Sequence, residues 1–552
     1  MDPYTPAAST RRVSPEAVQA ALADWRAALG DAHVRDTPEA VDRAAKASVP
    51  APLRPAALLY PGSREEVVAL VQIAARHGVP IWPVSQGRNW GYGSYTAPTE
   101  DTVLVILERL NRILGVDETL ATAIVEPGVT FRQLRAHLEA HHPTLWSDAT
   151  DGPPEGSVLG NALDRGLGVT PYADRFGTLC GMEVVLPDGE LVRTGGGPAD
   201  CATWNTHKWG VGPYLEGLFS QSGFGVVVQA GIWLMRKPEA FCTFTFDLRR
   251  PEDLPRLIDA LRELALEGSV AAGFHLLNEV ASLAVLWQAP AELRGPRPAD
   301  LIQARCRALG VAPWSLSGGL HGTRAQVAAH RRALSARLKP LGTLMFVTDD
   351  TIRAVRALNR MAAGGGLGGW LAARVYALAG KSRELFEVLP HLHTIRKGIP
   401  GDAFVRQVYL RAAAPRPDQA DPDQDDVGFL WFAPAVPMTG EHVDRALSLC
   451  RARFGQHGFD FYAVVMMHNP RTALLLTCIF FEKQDPDEAR RAKALYTQLM
   501  EDILAAGYAP YRVSVGGMAR LAQISPAFTR LARRLKAAID PSGVMAPGRY
   551  GV

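Results

Sequence analysis

The chain has 552 residues, 47% of them apolar and 21% charged. That length exceeds what one hydrophobic core usually serves and predicts two domains. A formal net charge of +3, from 59 Lys and Arg against 56 Asp and Glu, argues against nucleic acid or an anionic membrane as the main partner.

Taken in chain order, "SPEAVQAALADWRAALG" predicts a helix with Ser14 as N-cap and Pro15 in its first turn, running to Gly30. "PAALLYPGSREEVVALVQIAARHGVPIWPVS" reads as strand, helix and strand, with Ser63 as cap and Glu65 and Glu66 at the positive end of the helix dipole. Strands follow in "DTVLVIL" and "TAIVEPGVT", then a helix in "FRQLRAHLEAHH". "GMEVVLPDGELVRTG" predicts a hairpin that turns at Pro187-Asp188-Gly189, and "FGVVVQAGIWLMRKP" a strongly apolar strand. From about Pro238, long Ala- and Leu-rich helices alternate with isolated strands such as "TLMFVTDD", "GFLWFAP" and "LLLTCIFFEK", which predicts a second, α+β domain. The acidic, proline-broken "RPDQADPDQDD" reads as an exposed loop.

Six cysteines without CxxC or zinc spacing predict buried thiols in a reducing compartment and no metal site. No run approaches a membrane span, and the N-terminal stretch has no apolar signal core, so the cytoplasm is the expected location. "GGGLGG" satisfies GxGxxG at Gly364, Gly366 and Gly369. It follows a helical pattern rather than a strand, and so reads as a helix-ending loop.

The stretch "PVSQGRNWGYGSYTAP" is different, because its glycines follow a strand. Exposed amides without side chains can approach a pyrophosphate closely. "VEPGVTF", "GSVLGNALDRGLGVTPY" and "FSQSGFGVV" also mix small and polar residues in the same half of the chain. Together they argue for one large polar cofactor.

These segments, with "CGMEVVLPDGELVRTG", "KWGVGPYLEGLFSQSGFG", "IWLMRKP", "YAPYRVS" and "DPSGVMAPGRYG", occur in the order found in the vanillyl-alcohol oxidase and p-cresol methylhydroxylase family, which the chain resembles over about residues 50–552. The resemblance implies an α+β, two-domain PCMH-type (VAO-type) fold: an FAD-binding domain over 1–237, an inserted α+β cap domain over 238–500, and a C-terminal segment, 501–552, returning to the FAD domain. It implies FAD as cofactor, with Gly87, Arg88, Asn89 and Gly91 in the loop at its pyrophosphate, Ser157, Gly160 and Asn161 near the flavin, Gly225 as a further contact, and Arg549 approaching from the other side.

It also implies oxidation of 4-substituted phenols at the benzylic carbon through a quinone methide. Tyr92, Tyr511 and Arg512 match the family's phenolate-binding cluster. Asp151 best matches its catalytic carboxylate, with Asp148 and Glu155 as competitors. Phe429 stands where the oxidases of the family carry a flavin-tethering His, so FAD is expected to be held non-covalently. Ala473-Leu474 replace histidines found in relatives. Expected partners are a phenolic substrate, oxygen or a separate electron acceptor, and a second copy of the chain. Two other readings stay open: a flavoenzyme of the same fold oxidising a non-phenolic alcohol or hydroxy acid, and a flavin-fold binding protein without redox turnover.

Overall fold

Ser14 accepts a hydrogen bond from the Ala17 amide and opens the helix Pro15–Leu29. Its Trp25 donates Nε1–H to the Leu70 carbonyl at 3.0 Å, docking it on a second helix, Arg64–His77. There Ser63 caps the Glu66 amide, and Gly78, with φ +65°, supplies the left-handed residue that ends the helix. These helices cover a small sheet in the order Val34–Arg35, Ala57–Leu59, Val103–Ile106, Ile81–Val84. Its last three strands are parallel. Ala57–Leu59 and Val103–Ile106 are buried throughout, which explains unbroken apolar runs in place of alternation.

The structure, a computed structural model, describes residues 13–271, 273–288, 299–412 and 416–552. A second, antiparallel sheet follows in the order Ile113–Asp117, Thr122–Val125, Val226–Trp233, Leu179–Val185, Leu191–Arg193. The hairpin expected around Gly189 joins its last two strands, with Gly189 at φ +90°.

From Ala240 the chain builds an eight-stranded antiparallel sheet. Its order is Gly342–Val347, Ala240–Leu248, Trp314–Gly322, His275–Asn278, Tyr462–Asn469, Thr472–Phe481, Gly428–Pro437, Ala509–Arg512. Side chains alternate between faces along a strand, and here the alternation divides core from cavity. Ala463, Val465 and Met467 enter the main core, while Tyr462, Val464 and Met466 turn the other way. Leu475 and Leu474 divide in the same manner. The core face packs on the helices Leu254–Leu266, Gly440–His457 and Pro486–Ala505. The opposite face becomes one wall of the cavity described below.

The chain leaves this sheet after Arg512 and returns to the first one. The Ile81 amide donates to the Val544 carbonyl, and the Ala546 amide to the Ile81 carbonyl, both at 2.8 Å. The "GGGLGG" stretch closes the helix Asp349–Gly364 and opens Gly366–Ala379, with Gly365 at φ +67° between them. It is a helix junction, not a nucleotide loop. Among the described residues no helix is long and apolar enough to cross a membrane.

Candidate active site

A cavity of about 310 Å³ lies between the glycine-bearing loops of the first half and the open face of the eight-stranded sheet. One part is lined by Pro83–Asn89, Gly156–Ser157, Gly160–Asn161, Gln221–Ser222, Gly225–Val227 and Arg549. Gly87 has φ +61°, and a Cβ there would sit 2.1 Å from the Tyr95 ring. A Cβ on Gly160 would reach 2.0 Å from Ser85 Oγ. At both positions the protein's own side chains fill that space, so the missing Cβ lets these loops pack closely where they line the cavity. Asn161 Oδ1 and Arg549 Nε are buried without a hydrogen-bond partner, as groups facing an extended polar cofactor are. Arg549 is fixed over the Trp82 ring at 4.9 Å and donates to the Pro83 carbonyl. Ser157 is committed locally: its Oγ accepts from the Gly160 amide at 2.8 Å and donates to the Pro127 carbonyl at 2.6 Å. The unpartnered buried polar atoms of Asn161 and Arg549 and the small residues along this part of the lining fit FAD.

Three expected cofactor contacts are used differently. Gly91 does not line the cavity. Its N–H donates to Ser48 Oγ at 2.9 Å, and a Cβ there would lie 2.4 Å from Trp431 and 2.6 Å from Phe429. Its smallness lets the loop meet the second sheet instead of a phosphate. Arg88 lines the cavity, but its guanidinium pairs with Asp421 at 2.5 Å. Asn89 also lines it, yet its side chain bridges two partners, accepting from Arg512 at 2.6 Å and donating to Asp164 at 3.2 Å. The Arg88 pairing also corrects the reading of "RPDQADPDQDD" as an exposed loop. Asp423 in that segment is 3% exposed and accepts from the Ser48 amide at 2.7 Å. Burial pushes its carboxyl up to about 6.

Tyr92, Tyr511 and Arg512 converge on the same cavity. The Arg512 guanidinium lies 4.2 Å from the centre of the Tyr92 ring. The Tyr511 hydroxyl donates to the Arg165 carbonyl. Burial pushes the Tyr92 hydroxyl up to about 12, against the pull of Arg512, and Tyr511 moves the same way for the same reason. Both tyrosines stay protonated donors at neutral pH.

The motif reading did not single out what balances Arg512. Asp164, 8% exposed, is ion-paired to that guanidinium and accepts from the Tyr550 hydroxyl at 2.8 Å. The signal was physical: an arginine this buried requires an anion.

Of the three carboxylates considered, only Asp151 lines the cavity. Asp148 is buried against Arg175 at 3.1 Å and accepts from the Val169 and Thr170 amides. Glu155 is paired with Arg132 near the surface. Asp151 has 39% of its side chain open, but the opening is into the cavity. Burial raises its carboxyl, with Arg396 among the groups opposing the rise. Trp431, Tyr462, Val464, Met466, Leu474 and Phe429 supply an apolar wall. Neither His nor Cys is among the described lining residues. Phe429, fully buried, stacks edge-on to Trp431 at 6.1 Å.

A trough for FAD joined to an apolar chamber with clustered donors and a carboxylate defines an FAD-linked oxidoreductase. Residues 55–195 match the family described as "FAD binding domain", and residues 432–550 "FAD linked oxidases, C-terminal domain". The chain is 38% identical to 1'-carboxy-chondrochloren decarboxylase of Chondromyces crocatus, over 97% of each sequence. It is 29% identical to the 4-cresol dehydrogenase [hydroxylating] flavoprotein subunit of Pseudomonas putida, over 96% of this chain and 95% of that one. The crystal structure of p-cresol methylhydroxylase with substrate bound superposes with a TM-score of 0.85 at 27% identity, covering 98% of both chains. The chain belongs to the p-cresol methylhydroxylase and vanillyl-alcohol oxidase family of FAD-dependent enzymes.

Proposed function

We propose that this enzyme oxidises 4-substituted phenols at the benzylic carbon. The observation that carries the reading is the convergence of Tyr92, Tyr511 and Arg512 on the cavity that Asp151 also lines. A free phenol ionises near pH 10, so at pH 7 the phenolate must be favoured by about 4 kcal/mol. A guanidinium at about 4 Å supplies roughly that much at an effective dielectric of 20, less what Asp164 takes back. The Tyr92 hydroxyl adds a hydrogen bond to the anion, and Tyr511 adds another once its O–H turns from the Arg165 carbonyl.

Bound FAD supplies the two-electron acceptor. Tyr92, Tyr511 and Arg512 hold the phenolate oxygen, and the apolar wall holds the ring and excludes water. Loss of the benzylic hydrogen with its electron pair leaves a neutral quinone methide. Asp151 then takes the proton from a water adding at that carbon, giving a benzylic alcohol, or from the neighbouring carbon, giving a vinyl product. The electrons pass on to oxygen or to a separate acceptor. Phe429 at the position where the family's oxidases carry the tethering His supports non-covalent FAD.

The relative named for 4-cresol supports a phenolic reading, and the relative named as a decarboxylase of a carboxy compound leaves the side chain that is acted on open. Anaerobic titration with 4-ethylphenol, 4-propylphenol, lactate and glycolate tests it. Bleaching of the flavin by the phenols alone is expected, and bleaching by a hydroxy acid alone would reverse the assignment.

A further inference from the structure

Behind Asp151 lies a second, smaller cavity of about 40 Å³, which shares Asp151, Gln407, Tyr462 and Val464 with the main one. A water needs some 10–15 Å³ of such space, so this side cavity holds a group of two or three heavy atoms. Its lining is largely apolar, from Val169, Leu277, Val285, Leu392, Ile395 and Phe404, yet charged and polar groups are set into it. Arg396 is 1% exposed and His275 is 7% exposed, and both line it.

Arg396 is anchored through its terminal nitrogens, which donate to the Val169 and Gly273 carbonyls and to the Ser317 carbonyl and hydroxyl. Its Nε–H is left with no partner, and so is His275 Nε2. Gln407 accepts from the Tyr462 hydroxyl at 2.6 Å through Oε1, which leaves its NH2 as a third donor. A buried guanidinium held rigidly with one N–H to spare, beside two neutral donors, is costly unless an acceptor fills the space.

We infer that this side cavity binds a carboxylate on the substrate's para side chain, with Arg396, His275 and Gln407 as its donors. The inference rests on the phenol reading above, because Asp151 borders both cavities. The side cavity then receives the group carried by the carbon next to the benzylic one. The substrate class becomes 3-(4-hydroxyphenyl)propanoates, free or substituted next to the carboxylate.

The chemistry that follows is fixed by electron count. Once the benzylic carbon has been oxidised, the quinone methide is an electron sink two bonds from the carboxylate carbon. The C–COO⁻ bond breaks, and its electron pair forms the side-chain double bond. The ring regains aromaticity as the phenolate and CO2 leaves, so one anion enters the step and one leaves it. No proton has to be removed, and water need not add.

Charge around the cavity is balanced as it stands: Arg396 and Arg175 against Asp151 and Asp148. An incoming carboxylate therefore competes with Asp151 for Arg396 and is accommodated if Asp151 takes a proton, the direction in which burial already pushes it. His275 does not share this role, since burial and Arg396 hold it neutral.

The test uses the FAD-loaded enzyme, anaerobically, with 3-(4-hydroxyphenyl)propanoate, its amide and 4-propylphenol. Affinity is read from the perturbed flavin spectrum before reduction, and products from captured CO2 and 4-vinylphenol. The acid is expected to bind about ten-fold or more tightly than the amide, as a charge-assisted pair to arginine implies, and to give CO2 and 4-vinylphenol in equal amounts. Amide binding equal to or tighter than the acid, or a product that keeps its carboxyl, overturns the inference. If 4-propylphenol bleaches the flavin and the acid does not, the carboxylate site fails and the phenol reading stands. If neither bleaches it, both fail. Arg396→Met is at risk of misfolding because the residue ties three carbonyls together. In His275→Phe, the acid-over-amide ratio, measured within one protein, is expected to narrow several-fold. An unchanged ratio removes His275 from the site.

Discussion

Replacing Arg512 by methionine keeps much of the side chain's length and removes its charge. In the native site the guanidinium sits 4.2 Å over Tyr92 and 2.6 Å from Asn89 Oδ1. At about 4 Å and an effective dielectric near 20, a unit charge is worth roughly 4 kcal/mol to an ionising phenol. Asp164, bound to the same guanidinium, offsets part of this, leaving on the order of 1.5–3 kcal/mol, or about one to two pKa units. The rate of flavin reduction by 4-ethylphenol at low substrate should fall about ten- to hundred-fold at pH 7.

The sign of the pH dependence follows from the substrate. Above about pH 10 a phenol reaches the enzyme already ionised, so the deficit must shrink as pH rises. The substitution also strands Asp164 in a pocket where both side chains are nearly buried, 10% and 11% open, at a cost of about 3–5 kcal/mol in stability. Arg512→Met combined with Asp164→Asn removes both charges, so melting temperature should recover while activity does not. Stopped-flow reduction from pH 6 to 10.5, with thermal melts of the single and double variants, reads all of this. A deficit that does not change with pH, or activity that returns with stability in the double variant, would refute the phenolate assignment.

Other outcomes follow from single residues. Asp151→Asn should slow turnover of 4-ethylphenol about a hundred-fold, with substrate affinity little changed, and wild-type turnover would remove Asp151 from the chemistry. Asp423, with its folded pKa raised to about 6, contributes stability that is complete below its unfolded value near 3.9 and lost as pH rises through 6. Asp423→Asn should therefore stabilise the protein by ~2–3 kcal/mol at pH 8 and hardly at pH 4, which melting curves at the two pH values will check. Gly87→Ala forces a Cβ to 2.1 Å from Tyr95 at φ +61°, so the purified protein should carry little FAD by its 450 nm absorbance. Acid precipitation of the native enzyme should release flavin to the supernatant; a yellow pellet would mean a covalent link.

Much of the site was legible because the chemistry is written in local strings. Tyr92 in the glycine loop and Tyr511-Arg512 in "YAPYRVS" come together over more than 400 residues of chain, as the family resemblance implied. What escaped was reciprocal burial. Asp164 sits in plain view in "GNALDRG", but its importance depends on an arginine 348 positions later. Asp421 and Asp423 looked like a solvated acidic run. Arg88 and the Ser48 amide draw them inward, and neither partner is near them in sequence. Arg396 and His275 belong to no motif at all. A lone "IRKG" on a helical pattern gives no sign that its arginine will be fully enclosed. The strand Tyr462–Asn469 was not singled out either: "YAVVMM" is apolar throughout, so its pleat divides core from cavity only once the fold supplies the two sides.

The return of the chain past Arg512 has a consequence for how the enzyme is made. Asp164 emerges from the ribosome hundreds of residues before Arg512 and 386 positions before Tyr550. Through most of synthesis it has neither its counter-ion nor its hydroxyl donor. The strand Ile81–Val84 likewise lacks its neighbour until Val544–Ala546 arrives. The first half of the protein can thus acquire its helices and sheets early, yet the cavity stays unformed. Closure of such long-range contacts is slow, and it waits for the segment beyond Arg512, so an unstable variant is most exposed to aggregation before that segment docks.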